Sequence, residues 1–543
     1  MAKYFYLVSA IVFVVFIVLT ILWPLCAVLL VPAVGLFIIG VIDLNQTKHG
    51  VRRNFPIVGN LRYLLELIRP ELQQYFVESN LSGRPIPREL RSVVYQRAKG
   101  DIDTLPFGTQ RNVYEEGHEW VEHSIAPTKV NENDLRVNVG GPACLQPYQA
   151  HILNISAMSY GALSPNAVRA LNLGAREGRF YHNTGEGGIS PYHLEGGDLV
   201  WQIGTAYFGC RTADGAFSDE AFKERAALPQ VKMIEIKLSQ GAKPGKGGLL
   251  PAAKVTEEIA RIRLVEMGKD VVSPAGHSAF STPEGLLHFV ARLRDLSGGK
   301  PTGFKLCVGR KSEFVAICKA MLETKIYPDF ITVDGAEGGT GAAPLEFSNS
   351  VGVPLEEGLS FVHDMLVGFG IRPHIRIICS GKVFTSLQML TKLALGADMV
   401  NSARGMMLAL GCIQALKCNT NHCPVGVATT DQHLARGLHV PDKYERVASF
   451  HTATVHAFAD MLGAMGYESP ARLQRSDVFR RQGDGRITSY EDLFPSIAEG
   501  SLLNSARLPD LRKDYRDAIA HASPETFQPS GVQVREPIGL LPV

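Results

Sequence analysis

The chain has 543 residues, with 55 basic against 53 acidic side chains and 45% hydrophobic residues. So even a charge balance excludes the global field that would recruit nucleic acid, and the length exceeds one ordinary core, suiting a barrel of roughly 250 residues plus additions. Nine cysteines in a chain this long do not make a disulfide scaffold.

The chain opens on an apolar run. From Tyr4 to Ile42 no side chain is charged, and Val, Leu, Ile and Phe dominate. A membrane span takes about 20 apolar residues, so the run accommodates two, with Trp23-Pro24 placed to interrupt them. Lys3 precedes it and Lys48, Arg52, Arg53 and Arg62 follow it, which puts both ends on the cytoplasmic side by the positive-inside tendency. Residues 1–43 are therefore expected to be a transmembrane helical hairpin that holds a cytoplasmic catalytic domain at a membrane. One tilted span with an interfacial helix, or a cleaved signal peptide, are the competing readings. Residues 44–149 read as an amphipathic connecting region. Leu61 to Ile68 is amphipathic at helical spacing, and Pro70 with Glu71 is placed to open a second helix through Phe76.

From about residue 150, short apolar runs alternate with helical stretches. The runs are His151–Ala157, Arg179–Asn183, Trp201–Gly204, Val231–Leu238, Asp270–Ser273, Gly303–Val308, Asp329–Val333, Ile375–Cys379 and Asp398–Ser402. Trp201–Gly204 is the weakest and reads as an inserted hairpin, which leaves the strands of an α/β fold, a TIM-type (β/α)8 barrel over residues 150–430. Residues 431–543 read as a helical extension.

In such barrels the C-terminal ends of the strands build the site. Ala157, Met158 and Ser159 end the first strand, where a flat ring can pack against the backbone. Glu186 lies among glycines in Thr184-Gly185-Glu186-Gly187-Gly188. That makes it an acid–base candidate, with an ordinary loop carboxylate as the alternative. Lys237, Gln240, Lys243 and Lys246 gather cations and an amide donor in a glycine-rich loop suited to carboxylates or phosphate, or simply to solvent. Lys305, between Phe304 and Leu306, requires an anionic partner inside a barrel, and a reduced flavin, which gains negative charge at N1–C2=O, is one. Gly338, Gly339 and Thr340 follow a later strand, and Gly381, Ala403 and Arg404 follow the last two, where these barrels hold a phosphate. No G-x-G-x-x-G follows a strand to open a helix, so the phosphate expected is that of FMN.

Cys412, Cys418 and Cys423 stand as C-x5-C-x4-C, followed directly by Pro424. A tetrahedral zinc site wants four ligands, and His422 is a poor bite beside Cys423. Three thiolates suit an iron–sulfur cluster better, the three-iron form needing only three cysteines. Structural cysteines clustered by chance are the alternative.

The runs ISAMSYGALS, TGEGG, IKLSQGAKPGKGGLLP, DGAEGGTGAAP and the cysteine loop ending CPVGVAT, in this order, resemble the FMN-binding synthase domain of the glutamate synthase family. The resemblance covers residues 150–430. It implies FMN, a 3Fe-4S cluster on Cys412, Cys418 and Cys423, and reductive amination of 2-oxoglutarate to glutamate. It places Glu186, Lys237 and Gln240 near the 2-oxo acid and flavin, and Lys305 on the flavin ring. The large enzymes of the family begin with an ammonia-releasing domain, whereas this chain begins Met1-Ala2-Lys3. Ammonia is therefore expected free or from a partner, and electrons from a ferredoxin, an NAD(P)H-oxidising subunit or a membrane carrier. Where those enzymes have Pro-Pro-Pro-His-His-Asp, this chain has Ser273-Pro274-Ala275-Gly276-His277-Ser278. A membrane-associated electron-transfer oxidoreductase acting on another amino or imino compound is the alternative.

Overall fold

Two apolar helices open the computed structural model, which describes residues 2–79, 81–101, 104, 106–504 and 511–530. Phe5–Leu22 and Pro24–Asn45 are each long and apolar enough to cross a membrane, by length and composition. Between them Trp23 is extended, as a residue before proline prefers. The helices pack as a hairpin: Phe5 stacks on Phe37 with centroids 5.8 Å apart, and a Cβ at Gly40 would lie 2.2 Å from the Phe5 ring. Almost none of either helix is otherwise buried. The expected second helix from Pro70 does not form. Pro70 lies inside the helix Gly59–Leu72, and the chain continues into a wider turn over Gln73–Val77. A proline one turn from a helix end forfeits little of the hydrogen-bond ladder.

The chain divides into two units, Met1–Arg88 and Glu89–Val543, so the boundary falls inside the expected connecting region. The second unit is built on eight parallel strands in one closed barrel. They are β1 Leu153–Ile155, β2 His182–Asn183, β3 Leu199–Ile203, β4 Val231–Lys237, β5 Thr302–Leu306, β6 Phe330–Asp334, β7 Arg376–Ser380 and β8 Met399–Ser402. Each pairs with its sequence neighbour, and β8 closes on β1 through Val400 opposite Leu153.

The barrel was expected, but one strand choice was wrong. Trp201 belongs to β3, which is buried throughout, with its indole stacked 5.1 Å from the Phe222 ring. Asp270–Ser273 is the insertion instead. Val271–Val272 pairs antiparallel with Leu249–Leu250, and Val272 is 70% exposed. Two short apolar runs look alike in sequence; only burial on both faces separates a barrel strand from a hairpin. Two further boundaries shift. His151 ends a separate strand, Tyr148–His151, which pairs with Arg136–Val139 and adds Ala150 and Val139 to the apolar cluster of Tyr181, Met233, Phe330 and Met399. Arg179 is no strand residue but the left-handed cap, φ 55°, of the helix Pro165–Gly178.

Residues 431–543 are not wholly helical, and 505–510 and 531–543 lie outside the described residues. The helix Val440–Ala464 is followed by strands Val478–Arg481 and Ile487–Ser489. These pair with Glu119–Val121 in a three-stranded sheet. The sheet is fastened to the barrel's helices by charge: Arg480 donates to Glu356 at 2.6 Å, and Lys392 donates to the same carboxylate at 2.6 Å.

Truncating the β3 indole tests the reassigned strand. Trp201→Ala should cost about 3–5 kcal/mol, the range for a large aromatic removed from a packed core. A Tm equal to that of the parent chain would mean that the residue is not in the barrel wall.

Candidate active site

The C-terminal ends of the strands carry charge that the barrel keeps from water. Glu235 on β4 is buried in the interior, where it accepts from Asn183 at 2.8 Å, Gln202 at 2.6 Å and Thr332 at 2.6 Å. On the adjacent strand β5, Lys305 lies 3.3 Å from Asp334 at the end of β6. Burial alone would lower the pKa of Lys305, but Asp334 and then Glu235 outweigh it, so the ammonium is held above its ordinary value. Asp334 also accepts from the Gly241 amide at 2.9 Å, which ties the glycine-rich loop after β4 to β6.

Glu186 and Lys237 meet at 2.7 Å. Room for the carboxylate comes from glycine: a Cβ at Gly204 would lie 2.6 Å from Glu186 Oε2, and one at Gly248 3.1 Å from Oε1. Burial, the largest influence, raises the Glu186 pKa, but Lys237, Arg263 and Lys243 together hold it below its ordinary value. Glu186 is therefore ionised at neutral pH. Of the three loop lysines, Lys237 and Lys243 act on Glu186, whereas Lys246 is exposed with its ammonium over the Phe347 ring.

Sequence reasoning missed Arg263. It ends the helix Glu257–Arg263, a place where a base ordinarily faces solvent, yet it is buried and donates to the Tyr160 carbonyl at 2.9 Å. Burial lowers its pKa to about 10, with Glu186 opposing. His277 is also fixed here. Its Nε2 donates to the Lys237 carbonyl at 2.9 Å, which leaves Nδ1 to accept from the Tyr207 hydroxyl at 3.2 Å. Burial drives the His277 pKa down to about 4, so the ring is neutral.

Next to this cluster lies a cradle of small residues. The Met158 amide donates to the Asn183 carbonyl at 3.2 Å, and Gly185, at φ +64°, admits Ser159 so closely that a Cβ would lie 2.5 Å from its hydroxyl. Ala157 continues from Ser156, whose hydroxyl is 3.1 Å from that of Ser380. Gln240 Nε2 is buried without a partner. Gly381 has φ +156°, and Gly339 would place a Cβ 3.0 Å from Arg404 Nε. Arg404 follows Ala403 and donates to the Glu337 carbonyl at 2.8 Å, closing on Gly338, whose amide donates to the Gly335 carbonyl at 2.8 Å. Thr340 is exposed on the same loop.

Cys412, Cys418 and Cys423 are brought near one another by the loop after β8. Among the described residues no three His, Cys, Asp or Glu side chains are placed to hold one metal ion. The thiols nevertheless interact: burial raises the Cys412 pKa to about 11, and Cys418 and Cys423 add to the shift. Lys254, also missed in the sequence, is buried and donates to the Cys418 carbonyl at 3.0 Å. Gly341 places the β6 loop against Cys418, with 3.8 Å from its Cβ position to that of the cysteine.

Residues 132–468 match the family described as a conserved region in glutamate synthase. The chain is 37% identical over 509 residues to the glutamate synthase large subunit-like protein YerD of Bacillus subtilis, a match covering 86% of this chain and 96% of that one. It is 33% identical over 369 residues to the archaeal glutamate synthase (NADPH) of Methanocaldococcus jannaschii, covering 68% of each. A solved flavocytochrome b2 mutant with pyruvate bound has a TM-score of 0.40 at 14% identity, over 72% of this chain and 82% of that one, too distant to bear on the site.

The depressed pKa of Glu186 fixes a sign. Its pairing with Lys237 contributes fully to stability at neutral pH and is lost as pH falls through the depressed value. Lys237→Met should move the carboxyl's titration to higher pH, read from the protonated-carboxyl infrared band that Glu186→Gln removes. It should also cost ~2 kcal/mol, less than the roughly 3–5 kcal/mol of an isolated buried pair because Arg263 and Lys243 remain. A band titrating at the same pH in both chains would show that Lys237 does not set the charge of Glu186.

Proposed function

The chain belongs to the glutamate synthase family, whose members are oxidoreductases acting on CH–NH2 groups, and we propose that it uses FMN and a 3Fe-4S cluster to aminate a 2-oxo acid reductively, converting 2-oxoglutarate to glutamate. The observation that carries this reading is the grouping of Glu186 with Lys237, Lys243 and Arg263 beside the Lys305–Asp334 pair. The first group has more positive than negative charge and is largely shielded from water, so it calls for a ligand with carboxylates.

The residues present fit the two cofactors. The unpartnered amide of Gln240 and the Ala157–Ser159 cradle suit a flavin ring, with Lys305 as a fixed cation beside it. Gly338, Gly339, Thr340, Gly381, Ala403 and Arg404 suit its phosphate. Cys412, Cys418 and Cys423, on the one loop after β8, would supply the three thiolates that a three-iron cluster needs. When bound, the flavin supplies a hydride and the cluster supplies single electrons.

The side chains do the rest. Lys237, Arg263 and Lys243 orient the carboxylates of the 2-oxo acid. Glu186, ionised, takes a proton from the nitrogen of the ammonia adduct and returns it to the hydroxyl that leaves as water when the imine forms. Neutral His277 holds the Lys237 backbone in place. The exposed apolar helices at the N-terminus support a membrane tether, and the bases that flank them, Lys3 before and Lys48, Arg52, Arg53 and Arg62 after, favour the cytoplasmic side for the catalytic unit. An electron donor within reach of that membrane, whether a ferredoxin, an NAD(P)H-oxidising subunit or a membrane carrier, is part of the same proposal, as is ammonia supplied free or by a partner.

Reduced enzyme given ammonium and 2-oxoglutarate should reoxidise its flavin and yield glutamate, and Glu186→Gln should slow this by about 10²–10⁴-fold. Flavin that stays reduced with both substrates present would overturn the assignment. Separately, Cys418→Ser should lower bound iron and slow flavin reduction by an external donor; unchanged iron content would remove the cluster from the proposal.

A further inference from the structure

The helix Gly59–Leu72 has an apolar face that the described residues of its own unit leave exposed. Leu61, Leu64, Leu65, Ile68 and Leu72 recur at helical spacing on one side, and Gly59 is the helix's sole buried residue. Leu61 is 55% exposed, Leu64 54% and Leu65 49%, and Phe76 just beyond is 82% exposed. Such a continuous apolar stripe is costly in water and marks a binding surface.

The opposite side is covered in part, around Tyr63, with Leu67 left 70% exposed. Tyr63 stacks on His49 with centroids 4.7 Å apart, and the Arg52 guanidinium lies 4.3 Å from the Tyr63 ring centre. Gly59 lets the preceding helix cross closely, since a Cβ there would lie 2.9 Å from Arg52 Cα. The start of the helix is fastened to the end of the second apolar helix. Buried Asp43 accepts from the Ile57 amide at 2.9 Å and from the Asn60 side chain. Thus the segment that ends the hairpin sets the direction of the amphipathic helix, and His49 and Arg52 decide which face is left bare.

Charge selects the occupant. Over residues 46–77 there are five bases, Lys48, Arg52, Arg53, Arg62 and Arg69, against two acids, Glu66 and Glu71. An apolar stripe flanked by cations, directly continuous with two membrane-length helices, matches the headgroup and acyl boundary of an anionic bilayer. We propose that Gly59–Leu72, continued by Gln73–Val77, is an interfacial helix that lies in the surface of an anionic phospholipid bilayer. This rests on the membrane tether proposed above, and the test separates the two.

The full chain is reconstituted into vesicles of phosphatidylcholine, with or without phosphatidylglycerol, whose acyl chains carry bromine as a short-range quencher. Emission is compared among the parent chain, Trp23→Phe, Ile68→Trp and Glu66→Trp. The difference between parent and Trp23→Phe reports the hairpin alone. Ile68→Trp should lose most of its added emission, more so with phosphatidylglycerol, while Glu66→Trp on the other face keeps it. If Trp23 is quenched and Ile68→Trp is not, the tether stands and the interfacial helix is wrong. In that case, shielding of Ile68→Trp from aqueous acrylamide would assign the face to protein, either the catalytic unit or a second copy. If Trp23 itself is not quenched, the tether falls and the proposal with it.

Discussion

The mouth of the barrel is governed by one constraint, that charge taken out of water must be balanced within reach. Lys305 is placed on a strand whose neighbours are apolar, and it is tolerated because Asp334 lies 3.3 Å away and Glu235 acts on it from inside the barrel. Glu235 in turn has three donors from three other strands. These contacts link β2, β3, β4, β5 and β6 through buried polar groups. A barrel built so has little freedom at its rim, and the loops it carries inherit that rigidity.

The second charge cluster is balanced less completely. Glu186 answers Lys237, but Arg263 and Lys243 also act on it from buried positions. One carboxylate among three cations leaves an attraction for anions, which is how a site is made ready for a substrate that brings its own carboxylates. The same imbalance holds Glu186 ionised and makes it a weak base, so a proton that it accepts is readily given up again. Charge deficit and proton handling thus come from a single arrangement.

The β6 loop connects this region to the cysteines. It starts at Asp334, passes the Arg404 side chain at Gly339, and reaches Cys418 at Gly341. A side chain at Gly339 would press on the Arg404 guanidinium, 3.0 Å from its Cβ position. Lys254, from the insertion after β4, also reaches the cysteine loop, donating to the Cys418 carbonyl. Under the proposed function, these two segments give the electron-entry side and the substrate side a common support. The apolar hairpin and its amphipathic continuation form a unit of their own, joined by chain to the unit that holds the barrel.

Much of this was legible in the sequence because it is local. The uncharged run from Tyr4 to Ile42, the break at Trp23-Pro24, the glycine loops after the strands and the cysteine spacing are all patterns within a few residues of one another. Glu186, Lys237 and Lys305 could be singled out because a charge at the end of, or inside, an apolar strand has few ordinary uses. What the sequence left undecided depends on partners far along the chain. Trp201 and Val271 sit in equally short apolar runs, and only pairing with β2 and β4 on one hand, or with Leu249–Leu250 on the other, tells a barrel strand from a hairpin. Arg263 and Lys254 carry no local signal of a role, and only the fold buries one beside Glu186 and the other on the cysteine loop. Local pattern fixes the type of an element and the chemistry it offers; which charges meet, and so what pKa each carries, is decided only when the barrel closes and withdraws them from water.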